Sequence, residues 1–353
     1  MDKLSISTMK LENWPIADRS LWLAALTPAG PFDSGGLAAA WRPATIRGTE
    51  KSYGVYLSWL QTHSLLEEMA MPADRVDRDN VQSFLDSYGP GRSDHTVATV
   101  IRGIAYMLRA TVPPDGLPWL TKLAHRLANN AVPSRPKLPR MALPQELLAL
   151  AERLMVAGVE LVQKGRRSGA PLYRDGLMIA MLVARPLRLR NLSALCIGGS
   201  LVQNQGGYRI QFPKEQTKKE VAIDFLCPEW LNAPIDLYLR DVRPVLIGSD
   251  RVESDGAFWI GRRGRPLTES MITIRIGSLT KRHLGRRVSP HLFRDISATM
   301  VAVHDAAHVG ITKSVLGHAT LKSSQAYYNQ AGTFAAAKTY GDLLDQLRNG
   351  SKG

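Results

Sequence analysis

A cluster of prolines constrains the fold of this chain more than any other feature. Pro133, Pro136, Pro139 and Pro144 fall within twelve residues. Proline has no backbone N–H and fixes φ, so a helix cannot continue through this stretch. The chain has 353 residues, which is enough for about two domains of ~100–200 residues each. We therefore expect residues 131–143 to be a linker between two folding units.

The segment before the prolines has the pattern of a small helical domain. Apolar residues recur there at the spacing of amphipathic helices, and the first helix is predicted to include Tyr53, Tyr56, Leu57 and Leu60. Further helices are predicted over about 77–88, 94–109 and 117–129. We interpret residues 43–130 as an all-helical domain.

Residues 1–42 form an N-terminal extension in this interpretation. A short helix is predicted near residues 18–26, followed by a loop rich in proline and glycine. Trp14, Trp22 and Trp41 are compatible with two arrangements. They fit packing against the helical domain, and they fit an additional arm that contacts a partner.

The segment after the linker, residues 144–353, combines helices with a few short strands. Two β-like runs at 208–212 and 221–225 are joined by a basic turn, which predicts a hairpin, and a further strand is predicted at 257–260. Helices are predicted over about 144–164, 172–185, 268–283, 290–304, 311–316 and 320–329, before a last amphipathic stretch from Phe334 to Leu347. The expected fold class is mainly α with a small β component.

The charge balance indicates a polyanionic partner. The formal net charge is +14, and Lys and Arg beside phosphates gain free energy from counterion release. Cys196 and Cys227 have the spacing of neither a metal site nor a disulfide framework. The N-terminus lacks the layout of a signal peptide, and the longest apolar run is too short to cross a bilayer. We expect a cytoplasmic protein that binds nucleic acid and has no membrane partner.

The residues best suited to chemistry lie near the C-terminus. Ser289-Pro290 has the pattern of a helix start, which places His291 and Arg294 on one face of the first turn. A helix N-terminus favours a phosphate, and a guanidinium matches the phosphate oxygens. His318 follows further along, and Tyr327 comes nine residues later. A tyrosine oxygen can attack phosphorus and form a covalent ester, so this set predicts phosphoryl transfer.

These motifs resemble those of the tyrosine recombinase (phage integrase) family. The H-x-x-R box of the family is present as His291 to Arg294, and its L-G-H box ends at His318. The family tyrosine corresponds to Tyr327, and the adjacent Tyr328 is the alternative nucleophile. The resemblance covers residues ~45–345; it is strong from residue 172 onward and rests on helix count before that.

Two more site residues are identified through this resemblance. The first arginine of the family lies in a G-L-R-x-x-E-L-x-x-L pattern, which here begins at Pro186 and places Arg188. Two positions depart from the pattern, because Pro186 replaces Gly and Asn191 replaces Glu. The family lysine lies on a β-hairpin, where Lys218 fits best and Lys214 is the alternative.

The resemblance implies a role for each of the six residues. Tyr327 would be the nucleophile that forms a 3′-phosphotyrosine, and His291 would assist removal of its proton. Arg188 and Arg294 would hold the non-bridging oxygens, and His318 would hydrogen-bond the phosphate. Lys218 would protonate the leaving 5′-oxygen. The covalent ester conserves the energy of the broken bond. Neither a metal nor ATP nor another cofactor is therefore implied.

The resemblance also implies partners and an assembly. Residues 43–130 would be a SAM-like DNA-binding domain, and residues 144–353 would be an α+β catalytic domain ending in an oligomerisation segment. The expected partner is double-stranded DNA with a specific recombination site, on which four protomers assemble in the bacterial nucleoid. The C-terminal segment could dock in its own protomer or in a neighbour, and accessory DNA-bending proteins are further candidate partners.

Two other functions are compatible with parts of this pattern. A type IB topoisomerase uses similar residues but acts as a monomer and relaxes supercoils without a defined site. A DNA-binding regulator could keep the fold and lack the chemistry.

Overall fold

The computed structural model describes residues 6–32, 34–112, 117–134, 136–217, 221–248 and 256–304, except for the side chains of 262 and 301–304. The chain divides into two compact units, Met1–Pro136 and Lys137–Gly353. This division lies inside the segment 131–143. The last residues of that segment already belong to the second unit, because Met141 and Ala142 are buried in its core.

Helices are the regular secondary structure of the first unit among its described residues. Its helices are α1 (Ile16–Leu26), α2 (Pro43–Thr62), α3 (Pro72–Arg75), α4 (Arg78–Tyr88), α5 (Asp94–Thr111) and α6 (Pro118–Asn130). Side-chain caps begin two of them, because Asp77 accepts from the Asn80 N–H and Ser93 accepts from the Thr96 N–H. These bounds agree closely with the predicted helices.

The residues before α2 belong to the same hydrophobic core. Trp14 and Trp22 are buried, and Trp22 meets Trp41 edge-on at 6.1 Å between ring centroids. Asp18 on α1 is fully buried and accepts hydrogen bonds from the Tyr53 hydroxyl at 2.5 Å and from a buried arginine on α3. The described part of the N-terminal segment therefore packs against the helical domain, as one of its two predicted arrangements requires.

The second unit combines helices with one small sheet. Its helices are α7 (Pro144–Gln163), α8 (Gly169–Ala184), α9 (Leu189–Ser193), α10 (Asn232–Leu237), α11 (Arg243–Ile247), α12 (Glu269–Leu284) and α13 (Pro290–His304), with a π-helical turn, Tyr238–Val242, between α10 and α11. Helix α8 packs against α7 and is buried along most of its length, including the charged pair Arg174 and Asp175. The helical region over 232–247 was not predicted.

The sheet is antiparallel in the order β1-β2-β3, with β1 at Leu201–Asn204, β2 at Gly207–Phe212 and β3 at Ile223–Leu226. The pairing of β2 with β3 confirms the predicted hairpin. Strand β1 was not predicted, because four residues between glycine-rich turns give too short a pattern. Residues 257–260 were predicted as a strand but make isolated bridges to Cys196 and Pro266.

The predicted fold class, mainly α with a small β component, is confirmed by these elements. The helices predicted at 311–316 and 320–329, and the segment from Phe334 to Leu347, lie outside the described residues. None of the described helices is both long enough and apolar enough to cross a membrane.

Candidate functional site

A hydrogen-bonded turn fixes where helix α13 begins. Helix α12 is followed by Gly285, whose φ of 70° is a left-handed conformation that suits glycine. The buried hydroxyl of Thr280 on α12 then accepts from the Val288 N–H at 2.9 Å. Proline at the first position of α13 follows directly. This turn places His291 and Arg294 in the first two turns of the helix, as predicted.

The two residues of the H-x-x-R box differ in exposure. His291 is exposed, whereas Arg294 is half-buried. The Nη1 atom of Arg294 donates to the carbonyl oxygen of Pro186 at 2.5 Å. A hydrogen bond from a charged donor is short and strong, so this contact fixes one edge of the guanidinium.

Pro186 lies in a tight turn that its ring favours. The Leu187 N–H donates to the Arg185 carbonyl at 2.7 Å, which is the i to i+2 bond of a γ-turn centred on Pro186. The inverse γ-turn needs a φ near −75°, and proline is held near −65°. The departure from glycine therefore suits the local structure. The turn directs the Pro186 carbonyl to Arg294 and leads into Arg188 two residues later.

Arg188 is the residue immediately before helix α9. Its carbonyl accepts the first hydrogen bond of that helix, from the Leu192 N–H at 2.9 Å. The side chain is half-buried, and this burial lowers the pKa of the Arg188 guanidinium below its ordinary value. Arginine stays protonated in proteins at physiological pH, so Arg188 supplies a positive charge in a partly desolvated position.

The α9 turn also contacts the hairpin that was predicted to carry the lysine. Asn191 is buried, and its Nδ2 atom donates to the Gln216 carbonyl at 3.5 Å. Arg185 lies over the ring of Phe225 on β3, with the guanidinium carbon 5.0 Å from the ring centroid. One short segment, residues 185–191, therefore contacts both the hairpin and, through Pro186, helix α13.

Lys214 is exposed, in a short 3-10 turn between β2 and β3. Lys218, the preferred lysine, lies outside the described residues, as do His318, Tyr327 and the alternative Tyr328. Arg188 thus lies two residues from the carbonyl that Arg294 contacts. The roles of all six predicted site residues stay predictions.

The carboxylate that follows Arg294 in the sequence forms an ion pair. Asp295 is buried, and its carboxylate oxygens lie 3.0 and 3.1 Å from the Nζ atom of Lys137. Lys137 belongs to the segment 131–143 that was predicted to be a linker. The ion pair joins this first residue of the second unit to helix α13. No sequence signal connects two residues so far apart in the chain.

The described site is suited to binding a phosphate. Two half-buried guanidiniums, Arg188 and Arg294, belong to segments that touch, and His291 lies one helical turn from Arg294. Forked guanidinium donors match the non-bridging oxygens of a phosphodiester. Within the described ranges, no group of three or more His, Cys, Asp or Glu side chains is arranged to hold a metal ion.

Comparison with known proteins relates the chain to recombinases. No family model matches it. It is 29% identical over 159 residues to tyrosine recombinase XerC of Azotobacter vinelandii (44% of this chain, 47% of the relative). It is 28% identical over 198 residues to XerC of Pseudomonas aeruginosa PAO1 (55% of this chain, 57% of the relative). The chain therefore spans about half the length of the curated relatives that it matches.

The fold has a solved counterpart. A crystal structure of the XerH site-specific recombinase, bound to a palindromic difH substrate in a post-cleavage complex, superimposes with a TM-score of 0.59. The match covers 94% of this chain and 99% of that one, at 15% identity. The chain is therefore similar in sequence to tyrosine recombinases over about half of their length, and it shares its fold with the XerH recombinase.

Proposed function

We propose that this chain is a site-specific DNA recombinase that cleaves and rejoins DNA strands through a 3′-phosphotyrosyl intermediate. The observation that carries the proposal is the bond from Arg294 to the Pro186 carbonyl, because it joins the segments that hold the two predicted phosphate-binding arginines. Both arginines are half-buried, and a guanidinium acts more strongly on a phosphate where water is partly excluded.

The proposed step is an in-line displacement at phosphorus. The Tyr327 oxygen attacks the scissile phosphate, its proton passes toward His291, and the bond from phosphorus to the 5′-oxygen breaks. Lys218 gives a proton to that oxygen, and His318 donates a hydrogen bond to the phosphate. Rejoining is the same step in reverse, with a 5′-hydroxyl as nucleophile, so the phosphodiester energy is retained in the tyrosyl ester. Neither ATP nor a metal is needed in this scheme.

Arg188 and Arg294 are assigned to the charge that develops on the non-bridging oxygens. Their contribution would be electrostatic. The bond to the Pro186 carbonyl orients the Arg294 guanidinium before the reaction begins, and the γ-turn at Pro186 fixes the backbone that leads to Arg188. Loss of one such donor typically costs about 100- to 1,000-fold in rate.

The first unit is proposed to bind the DNA duplex. Helices α4 and α6 border a groove of about 390 Å³. We call it the α4–α6 groove; its floor is Val81, Leu85, Trp119 and Leu123, and its rim includes Arg78, Lys122 and Arg126. All three cations of the rim are exposed, and no carboxylate among the described residues lines the groove. Exposed cations on neighbouring helices suit phosphates of the DNA backbone.

The proposed assembly is a tetramer that synapses two sites, with the segment from Phe334 to Leu347 contributing to contacts between protomers. Residues 43–130 would act as the DNA-binding domain, residues 144–353 as the catalytic domain, and the chain would act at the bacterial nucleoid. Its origin in a mobile element and its use of accessory DNA-bending proteins belong to the same proposal.

The function is tested with a supercoiled plasmid that carries two copies of the DNA flanking the gene for this chain. We expect inversion or deletion between the two copies and no change in a plasmid that lacks them. Relaxation of both plasmids at a low ratio of protein to DNA, without recombinants, would instead identify a type IB topoisomerase. Binding without a covalent adduct would identify a regulator.

A further inference from the structure

We infer that Asp295 is a positioning residue: its ion pair with Lys137 fixes how helix α13 is rotated about its axis, and that rotation places the Arg294 guanidinium. This inference rests on the proposed function, because it concerns how one of the two predicted phosphate-binding arginines is held. It is carried by the ion pair itself, by the direction of its neighbour Arg294, and by the packing of α13 against residues 137–143, which we call the strap.

The ion pair is short and largely removed from water on the carboxylate side. The Nζ atom of Lys137 lies 3.0 Å from Oδ2 of Asp295 and 3.1 Å from Oδ1, so the ammonium group faces both oxygens. The side chain of Asp295 is 8% exposed, whereas that of Lys137 is 54% exposed. A carboxylate that water hardly reaches depends on charged partners. The contact with Lys137 therefore restrains where Asp295 can lie.

Asp295 and Arg294 anchor α13 on two different sides. Consecutive residues of an α-helix point about 100° apart. Arg294 reaches the Pro186 carbonyl on one side, while Asp295 reaches Lys137 on another. Two contacts at the same level but in different directions fix the rotation of a helix, which one contact alone does not. Side chains extend roughly 6 Å from the helix axis, so a rotation of about 10° would move the guanidinium by about 1 Å.

Apolar packing between the strap and α13 is too loose to fix this rotation. A cavity of about 260 Å³ lies between them, lined by Pro139 and Met141 of the strap and by Ile296 and Met300 of α13. The buried Thr299 hydroxyl also lines this cavity and has no hydrogen-bond partner among the described residues. Atoms that border a cavity lack contacts on one side. The ion pair is therefore the stronger restraint between the strap and this part of the helix.

The beginning of α13 is held by separate contacts. The Val288 N–H donates to the buried Thr280 hydroxyl at 2.9 Å just before the helix starts. Arg286, in the same turn, forms an ion pair with Glu146 on α7. These contacts restrain the first turn, which carries His291. Loss of the strap ion pair should therefore act mainly on the arginine one turn later.

A neutral scissile group separates this role from a general effect on the fold. A methyl group in place of one non-bridging oxygen removes the charge that the Arg294 guanidinium offsets, so a methylphosphonate needs that guanidinium less than a phosphate does. Single-turnover formation of the covalent adduct is measured on matched phosphate and methylphosphonate suicide substrates, at protein concentrations that saturate the DNA. The variants are Asp295→Asn, which keeps the shape of the side chain, Lys137→Met, and the two combined.

We expect each single variant to cleave the phosphate substrate about 10- to 100-fold more slowly than wild type, because a displacement of about 1 Å can cost ~100-fold in rate. Each should cleave the methylphosphonate at the wild-type rate, which also shows that the variant is folded. The double variant should be no slower than the slower single variant, because both changes remove the same ion pair. Lys164→Met is the matched control, since it makes the same change at an exposed lysine at the end of α7; it should match wild type on both substrates.

Three results would overturn the inference. Equal slowing on both substrates would mean that the ion pair supports the fold in general. A wild-type rate on the phosphate substrate would mean that it positions nothing, and losses that multiply in the double variant would mean that Lys137 and Asp295 act separately. If the wild-type chain forms no adduct with either substrate, the proposed function itself fails, and the inactive wild type distinguishes that outcome from the other three.

Discussion

The bond between Arg294 and Pro186 leads to a quantitative prediction. In Arg294→Lys the positive charge remains, but the planar fork that reaches the Pro186 carbonyl is removed. The bond is 2.5 Å long, partly buried and charge-assisted, and such bonds contribute about 1.5–3 kcal/mol. If the bond orients the guanidinium for the transition state, that range corresponds to cleavage slower by about 10- to 150-fold.

The assay is single-turnover formation of the covalent adduct on a nicked suicide substrate, at protein concentrations that saturate the DNA. Arg190→Lys is the matched control, because it makes the same change at an exposed arginine on α9, two residues from Arg188. We expect this control to cleave at the wild-type rate. Cleavage by Arg294→Lys within about twofold of wild type, a difference of only ~0.4 kcal/mol, would refute the argument that the Pro186 contact organises the site.

Three further predictions concern binding, reactivity and stability. Alanine at the three cations of the α4–α6 groove should weaken DNA binding. The slope of log K against log salt should fall in magnitude by about 0.9 for each phosphate that the variant no longer neutralises. An unchanged slope would contradict the assignment; the control is Lys10→Ala, a surface lysine paired with Glu12. Burial raises the pKa of the Cys227 thiol to about 11, so this thiol stays protonated at about pH 8. A Cys196→Ser variant, which keeps Cys227, should therefore react with a thiol reagent only on unfolding. Rapid reaction of the folded variant would be the contrary result. Tyr53→Phe removes a buried bond to the Asp18 carboxylate and should lower the free energy of unfolding by about 2 kcal/mol in urea titrations, whereas a decrease below ~0.5 kcal/mol would show that the hydroxyl does not stabilise the first unit.

Local sequence patterns predicted the helices well for a physical reason. In α4 and α5 the apolar period, the capping residues and the flanking glycine or proline all specify the same bounds. Strand β1 has only four residues, and helices α10 and α11 are interrupted by a π-helical turn. In these elements the periodic signal is too short to distinguish them from loops.

The site was predictable in its residue types and not in its connections. His291 and Arg294 follow from a helix start that is readable in the sequence, and Arg188 followed from a family pattern. The bond from Arg294 to a backbone carbonyl joins positions 108 residues apart. Such contacts depend on tertiary packing. The sequence therefore shows that Pro186 replaces the family glycine, but it does not show that the Pro186 carbonyl contacts Arg294.

The central claim is that Tyr327 forms a covalent bond to DNA, and one measurement tests it most directly. The adduct trapped on a nicked suicide substrate is digested with trypsin, and the DNA-linked peptide is sequenced by mass spectrometry. The account predicts a phosphotyrosyl bond at Tyr327 to the 3′ side of the break, and its loss in Tyr327→Phe with DNA binding retained. The adjacent variant Tyr328→Phe should form the adduct normally. An adduct that persists in Tyr327→Phe, or one that maps to Tyr328, would contradict the account.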